Sequence, residues 1–394
     1  MYRHYKFLMR PTCKQADALA ACLEDHRQLY NAALEERREA WKRGVSVGYY
    51  SQCAQLKDIR AADPDGTGSW ASMSQQATLR RLDHTFQAFF RRCKAGARPG
   101  YPRFKGRGRF DSVTWPLNGN GCRWDSVPHP AVARVYLKGI GHIRVHQYRA
   151  IAGRVKTITV KREGRRWYVI LACDDVPAQP LPATGAVVGI DLGIASFLTT
   201  SDGAHVANPR HFAAAAGKLA AAQQRLSAKK RGSNRRRKTV PLVAAHHRRI
   251  RRARLDHAHK VALRLVQDHD VIVHEALQIS NMVRRPKPRS VGDGTYEPNG
   301  AASKAGLNKS IHDAGWGVFL RVLAAKAEEA GRTVVAVNPR HTSQRCSRCG
   351  HTAAGNRITQ AAFKCLSCGH EAHADVNAAI NVLRAGLARQ ANAA

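Results

Sequence analysis

Val187-Val-Gly-Ile-Asp191 is an unbroken apolar run that ends on a carboxylate. A run this short, without polar alternation, reads as a strand buried on both faces. A tight turn, Leu192-Gly-Ile-Ala-Ser196, follows it, and Phe197-Leu-Thr-Thr200 reads as its hairpin partner. A second run, Val271-Ile-Val273, leads through His274 into Glu275, so two apolar strands each terminate in an acid. A third acid, Asp375, opens the last predicted helix within His373-Ala-Asp-Val-Asn-Ala-Ala-Ile-Asn381, where Ala378 and Ala379 are small enough for close packing on a sheet. Singly, each acid has an ordinary structural use: a turn cap, a solvent-facing strand end, a helix cap. Together, two strand ends and a helix N-terminus can gather three carboxylates around hard cations, Mg²⁺ or Mn²⁺. Two such ions about 4 Å apart suit phosphodiester hydrolysis. His274 reads as a packing residue.

Between the second strand and the last helix lie Cys346-Ser-Arg-Cys349 and Cys365-Leu-Ser-Cys368, separated by the 15 residues 350–364. That spacing is expected when two knuckles supply four thiolates to one tetrahedral zinc. Four thiolates close the coordination shell, so the zinc is structural and the chemistry belongs to the carboxylates.

The charge points to a polyanionic partner. Lys and Arg number 65 against 28 Asp and Glu, a formal net charge of +37. So large an excess opposes compaction unless polyanions neutralise it, and nucleic acid is the expected one. No apolar span or lipidation motif suggests a membrane partner. The N-terminus, MYRHYKFLMRPT, is too short and polar for a signal peptide, so the expected location is the cytoplasm. Cys13, Cys22, Cys53, Cys93, Cys122 and Cys173 are expected to be reduced and mostly packed.

Elsewhere the pattern predicts a strand at residues 5–9 halted by Pro11, an amphipathic helix over 15–42, and another over 72–92. In the second helix Leu79, Leu82, Phe86, Phe89 and Phe90 form the apolar face, read as core rather than as a base-stacking platform. The stretch KAGARPGYPRFKGRGRF at 94–110 reads as a basic loop gripping phosphates. Runs at 132–137, 155–160 and 167–171 suggest a small antiparallel barrel, and Pro177, Pro180 and Pro182 a linker. Beyond the linker, 212–268 is read as one very basic helical stretch with RRRK at 235–238, 284–310 as a mobile loop, and 311–330 as a helix before a strand at 333–337.

The segments Gly189-Ile-Asp-Leu-Gly193, His274-Glu275-Ala-Leu, Ser310-Ile-His-Asp-Ala-Gly-Trp-Gly317, Thr342-Ser-Gln-Arg-Cys346 and Asp375-Val-Asn-Ala-Ala resemble the TnpB (OrfB) family of transposon-encoded nucleases, related to compact type V CRISPR effectors. Leu29-Tyr-Asn-Ala-Ala-Leu, Phe89-Phe-Arg-Arg and Pro99-Gly-Tyr-Pro-Arg-Phe-Lys105 extend the resemblance over nearly the whole chain. It implies a multidomain α/β protein. An RNase H-like (RuvC) nuclease domain would occupy 184–343 and 370–394, split by a zinc ribbon at 344–369. A wedge-type β-barrel would occupy 1–14 and 111–180, and a helical recognition domain 15–110.

By the same resemblance Asp191, Glu275 and Asp375 carry two Mg²⁺ (or Mn²⁺) ions, and Cys346, Cys349, Cys365 and Cys368 hold one Zn²⁺. The implied partners are a guide RNA and target double-stranded DNA bearing a short adjacent motif. A monomer with its RNA is one assembly this allows, nucleoid-associated when on DNA. Tyr50 and Gln76 are candidate readers of the motif. Arg103, Lys105, Arg107, Arg235, Arg236, Arg237 and Lys238 are candidate backbone contacts. Many relatives carry an arginine just before the last aspartate, where this chain has Ala374, which implies altered surroundings for that acid. Two neighbouring readings share these features: a compact CRISPR effector with the same active site, and an RNA-guided DNA-binding repressor that does not cut. A set of three intact acids argues against the second.

Overall fold

The computed structural model describes residues 1–125, 133–292 and 294–392. Two units divide it, Met1–Pro177 and Ala178–Ala394, with the boundary inside the proline-marked linker.

The first unit is built on β1 (Arg3–Arg10), whose alternate residues Tyr5, Phe7 and Met9 are buried. Pro11 ends it. Thr12 and Gln15 then start α1 (Cys13–Lys42) with reciprocal side-chain and backbone hydrogen bonds, the capping box that satisfies otherwise orphaned amides. Two short helices, α2 (Tyr49–Ala54) and α3 (Leu56–Ala62), precede α4 (Ser72–Lys94), which packs against α1. Six further strands follow: β2 (Ser112–Trp115), β3 (Cys122–Asp125), β4 (Arg134–Leu137), β5 (Gly141–His146), β6 (Arg154–Glu163) and β7 (Arg166–Asp174). With β1 they form one antiparallel sheet in the order β2-β6-β7-β1-β5-β4-β3. The three expected runs lie in β4, β6 and β7, with Val132 outside the described residues; β2, β3 and β5 add to them. Sheet and helices share one hydrophobic cluster, joining Phe7, Val169 and Leu171 to Leu19, Leu34, Leu79 and Leu82. Cys22, Cys122 and Cys173 are buried in it, whereas Cys13 and Cys93 are exposed.

In the second unit β8 (Val187–Asp191), β9 (Ser196–Thr200), β10 (His205–Ala207), β11 (Val271–Glu275) and β14 (Thr333–Val337) form a mixed sheet ordered β10-β9-β8-β11-β14. β8, β11 and β14 run parallel, with Val271 level with both Val187 and Thr333. β9 returns antiparallel to β8. Between β10 and β11 come α5 (His211–Ser227) and α6 (Asn234–Asp268). After β11 come α7 (Ile279–Met282), the two-residue strands β12 (Arg289–Ser290) and β13 (Tyr296–Glu297), α8 (Ala301–Ala314) and α9 (Trp316–Ala330). The tail contains β15 (Ala362–Lys364), β16 (Glu371–His373) and α10 (Ala374–Ala391). On one face of the sheet Val188 and Ile190 meet Ala262, Leu265, Phe319 and Leu323. On the other, α10 lies so close that a Cβ at Gly189 would stand 2.7 Å from the backbone nitrogen of Leu383. Only glycine permits that approach.

Three expectations are corrected here. The basic stretch 212–268 is two helices, broken where Gly232 adopts φ +83° and Ser233 caps α6. The segment 284–310 holds the β12–β13 pair and most of α8, because Ala301, Ala302 and Ala305 favour helix and Ile311 and Asp313 are buried at its end. The helix expected over 311–330 is interrupted at Gly315, whose φ of +73° ends α8 and starts α9. Among the described residues no helix is long and apolar enough to cross a membrane.

Candidate metal centre and carboxylate cluster

Asp191 ends β8, and Glu275 ends the neighbouring parallel strand β11, so both acids emerge at the same edge of the sheet. Asp375 lies in the first turn of α10, which packs on β8, and its amide is capped by the His373 ring. Asp191 feels both of the other acids. Burial, and then the charges of Glu275 and Asp375, push the Asp191 carboxyl up to about 7. Burial also raises Glu275, partly opposed by the Thr342 hydroxyl, which donates to its carboxylate. Arg357 donates to Asp375 Oδ1 at 2.9 Å and is the one guanidinium that lowers Asp191.

The cysteine cluster is tight. All four Sγ atoms lie within 4.8 Å of one another, with Cys346–Cys368 at 3.8 Å and Cys349–Cys365 at 3.5 Å. Zinc–sulfur bonds of about 2.3 Å in a tetrahedron place sulfurs about 3.8 Å apart, so the set fits one structural zinc. The two knuckles repeat the sequence Cys-x-x-Cys-Gly-His. In each, the first cysteine's carbonyl accepts from the glycine amide while its own amide donates to the histidine carbonyl. Gly350 and Gly369 take φ of +80° and +70°, the conformation these turns require.

The knuckles are tied to the helix that carries Asp375. Asn377 Oδ1 accepts from the Ser347 amide at 2.8 Å, and its Nδ2 donates to the Arg345 carbonyl at 2.8 Å. One turn on, Asn381 donates to the Thr342 and Arg345 carbonyls. Ala374 is fully buried beside Cys346, Phe363 and Cys365, leaving no room for a long side chain. Arg357, from the loop between the knuckles, brings a guanidinium to Asp375 instead.

Three family models match in chain order. Residues 1–45 match a helix-turn-helix domain, 158–285 one described as "Probable transposase", and 316–382 the TNB domain of Cas12f1-like proteins. In this chain 1–45 is one strand and one long helix, without the turn that the first description names. Along 388 residues the chain is 33% identical to "Putative RNA-guided DNA endonuclease InsQ" of Escherichia coli K12, covering 97% of this chain and 92% of that one. The chain belongs to the TnpB (OrfB) family. A Streptomyces pristinaespiralis protein named "Putative RNA-guided DNA endonuclease" is 32% identical over 415 residues, 99% of this chain and 90% of its own. The fold is also that of the mini-RNA-guided endonuclease CRISPR-Cas_phi3, with a TM-score of 0.51 at 11% identity over 98% of this chain and 92% of that one.

The remaining candidates of this TnpB-family chain fall apart from the carboxylates in sequence and in role. Tyr50 is exposed on α2, edge-on to Tyr49, and Gln76 is half-buried on α4. Arg103 and Arg107 are exposed. Lys105 is held to α1, where Asn31 and Arg27 donate to its carbonyl. Arg235, Arg237 and Lys238 are exposed along the start of α6. Arg236 is half-buried, and one nitrogen of its guanidinium donates to the carbonyls of Leu226 and Lys229, bracing the α5–α6 turn. Sequence reading missed Thr342, Arg357, Asn377 and Asn381. The asparagines had a visible signal, two amides four residues apart on the helix face that carries Ala378 and Val382 into the core.

Proposed function

We propose that this chain is an RNA-guided DNA endonuclease whose nuclease centre is Asp191, Glu275 and Asp375. The convergence of these acids from β8, β11 and α10 carries the proposal, in a chain of net charge +37 and with near full-length kinship to proteins named for that activity. The mixed sheet, with acids on its adjacent parallel strands β8 and β11, supports an RNase H-like domain over 184–343 and 370–394 with the ribbon 344–369 inserted. The first unit is assigned as barrel (1–14, 111–180) and recognition helices (15–110).

The donor set fits hard divalent cations: three carboxylates, no thiolate, and an Asp191 carboxyl pushed up to about 7 by burial and then by the charges of Glu275 and Asp375. Asp191, Glu275 and Asp375 would hold Mg²⁺ or Mn²⁺, which would supply Lewis-acid stabilisation and activation of water for phosphodiester hydrolysis. The chain's own groups set the acids in place. Thr342 fixes the Glu275 carboxylate, Arg357 fixes Asp375, and the Leu192 amide donates to Asp191. Sequence is read by base pairing with the guide, and the protein reads only the short adjacent motif, for which Tyr50 and Gln76 are the assigned readers. Arg103, Arg107, Arg235, Arg237 and Lys238, with the Lys105 ammonium, neutralise phosphates.

Reconstituted with its copurified RNA, the protein is expected to cut a duplex matching the guide, and a changed guide segment redirects the cut. Asp191→Asn, Glu275→Gln and Asp375→Asn should each slow cleavage at least about a thousand-fold, a barrier increase of about 4 kcal/mol, while RNA binding holds. Wild-type cutting by Asp191→Asn removes the assigned site. Cutting of the original duplex by RNA-free protein removes the guide.

A further inference from the structure

The aromatic face of α4 does two different jobs. Leu79, Leu82 and Phe86 are buried, as expected of core. Phe90 is 50% exposed, and with Phe89 and Tyr101 it walls a groove of about 380 Å³ in the first unit. Tyr101 meets Phe86 and Phe89 edge-on, at centroid distances of 5.8 and 5.3 Å, which holds the wall rigid. Trp41, 76% exposed and in no ring pair among the described residues, lines the same groove. Single exposed aromatics are ordinary, but a contiguous set lining one groove marks a contact surface. A polar group belongs to it too. Arg37, 92% buried by its 8% exposure, lines the groove and bonds Asp83 and Gln52, yet one of its guanidinium nitrogens has no hydrogen-bond partner. The Arg37 guanidinium lies 5.2 Å from the centroid of the Phe86 ring, backing the aromatic wall with positive charge.

The surrounding charge identifies the occupant. Lys42 and Arg43 close α1, Arg91 and Lys94 close α4, and Arg98 follows, all exposed. A second copy would bring the same cations face to face, on a chain already at +37. A polyanion with flat aromatic groups is matched on both counts. We propose that this groove holds one unstacked base of a single-stranded nucleic acid, sandwiched by Trp41 and the Phe90 side, with the flanking phosphates on the basic ends of α1 and α4. Stacking on aromatic rings is how proteins take splayed bases without demanding a particular sequence. Only nucleic-acid binding is required, so the site stands whether or not the chain cuts DNA.

Full-length protein stripped of RNA is titrated with labelled strands of about 12 nucleotides, within the usual site size. The probes are single-stranded RNA, single-stranded DNA, an abasic backbone of equal length, and duplex. Trp41→Ala and Phe90→Ala should each weaken binding of the base-bearing single strand about 5- to 150-fold, the range for losing one stacked base. Abasic and duplex affinities should not move, nor should the slope of log affinity against log salt, because no cation is removed. Trp41→Phe should restore most of the loss. A stronger effect on RNA than on DNA assigns the guide as the source of the base, and the reverse assigns the displaced DNA strand. Equal weakening on base-bearing and abasic strands, or no change on any, overturns the site. So does a concentration-dependent dimer of the RNA-free protein that Trp41→Ala abolishes, which would make the groove a protein interface.

Discussion

The second unit contains two clusters of metal-type side chains, and they are opposites. The four cysteines are drawn into the spacing of a filled tetrahedron, each knuckle closed by its own backbone bonds. The three acids come from separate strands and a helix, and the charges of Glu275 and Asp375 add to burial in raising the Asp191 carboxyl. The first is a closed site, complete without solvent or substrate. The second is an open one, where the fold holds like charges near Asp191. A closed site stabilises; an open site stores repulsion that binding relieves. Breaking either one should therefore move stability in opposite directions.

The largest effect belongs to the closed site. Structural zinc contributes about 10–16 kcal/mol in isolated finger peptides. Cys349→Ser or Cys368→Ser should reduce bound zinc from one per chain toward zero and unfold the ribbon. Because Asn377 and Asn381 bind ribbon backbone, α10 and Asp375 should lose order with it, and cleavage with them. Elemental analysis beside amide exchange over 374–391 checks this; full activity with no zinc would separate the two clusters.

At the open site the sign reverses. The folded protein raises the Asp191 carboxyl from 3.8 to about 7, so over that window the folded state binds more protons than the unfolded. Stability in metal-free buffer should fall as pH climbs from about 4 to 7, by up to about 4 kcal/mol at 1.36 kcal/mol per pKa unit. Asp191→Asn removes the charge and should melt higher than wild type at pH 8, with the gap closing near pH 4. Mg²⁺ should raise the wild-type melting temperature at pH 8 and leave the variant's nearly still. A variant that melts lower at pH 8 would mean the acids are not in repulsion.

The contrast also explains what the sequence could and could not tell. The cysteine knuckles and the strands ending in Asp191 and Glu275 are local patterns, written in spacings of a few residues. The central place of β1, bonded to β5 and β7 more than a hundred residues on, is not local and left no mark beyond an alternating run. Arg357 looked like any other basic residue among 65, and only the folded ribbon sets it against Asp375. The helix α8 was hidden because most of its surface is polar or small; its buried end, Ile311 and Asp313, reveals itself through Asp313 accepting from the first amides of α5.

A smaller effect tests the coupling of the clusters. Asn377→Ala leaves the Ser347 amide and the Arg345 carbonyl without that partner in a buried place, worth about 1–3 kcal/mol. Zinc content should stay at one per chain while melting temperature and cleavage both fall. Unchanged cleavage would show that the ribbon does not position Asp375 through this residue.

The smallest stability effect, and the most specific, is expected at Arg357. Its ion pair with Asp375 is partly exposed, so Arg357→Gln should change stability by about 1 kcal/mol or less. Its charge acts further, since Arg357 is the cation that lowers Asp191. Without it the Asp191 carboxyl should rise above about 7, and the acid limb of the pH–rate profile should move to higher pH. Arg357→Lys keeps the charge while changing the geometry, and should leave the limb near its wild-type position even if the rate falls. If both variants lose rate equally at every pH, Arg357 acts only as a brace for the loop between the knuckles. A displaced limb in Arg357→Gln alone would instead show the closed cluster lending charge to the open one through a single side chain.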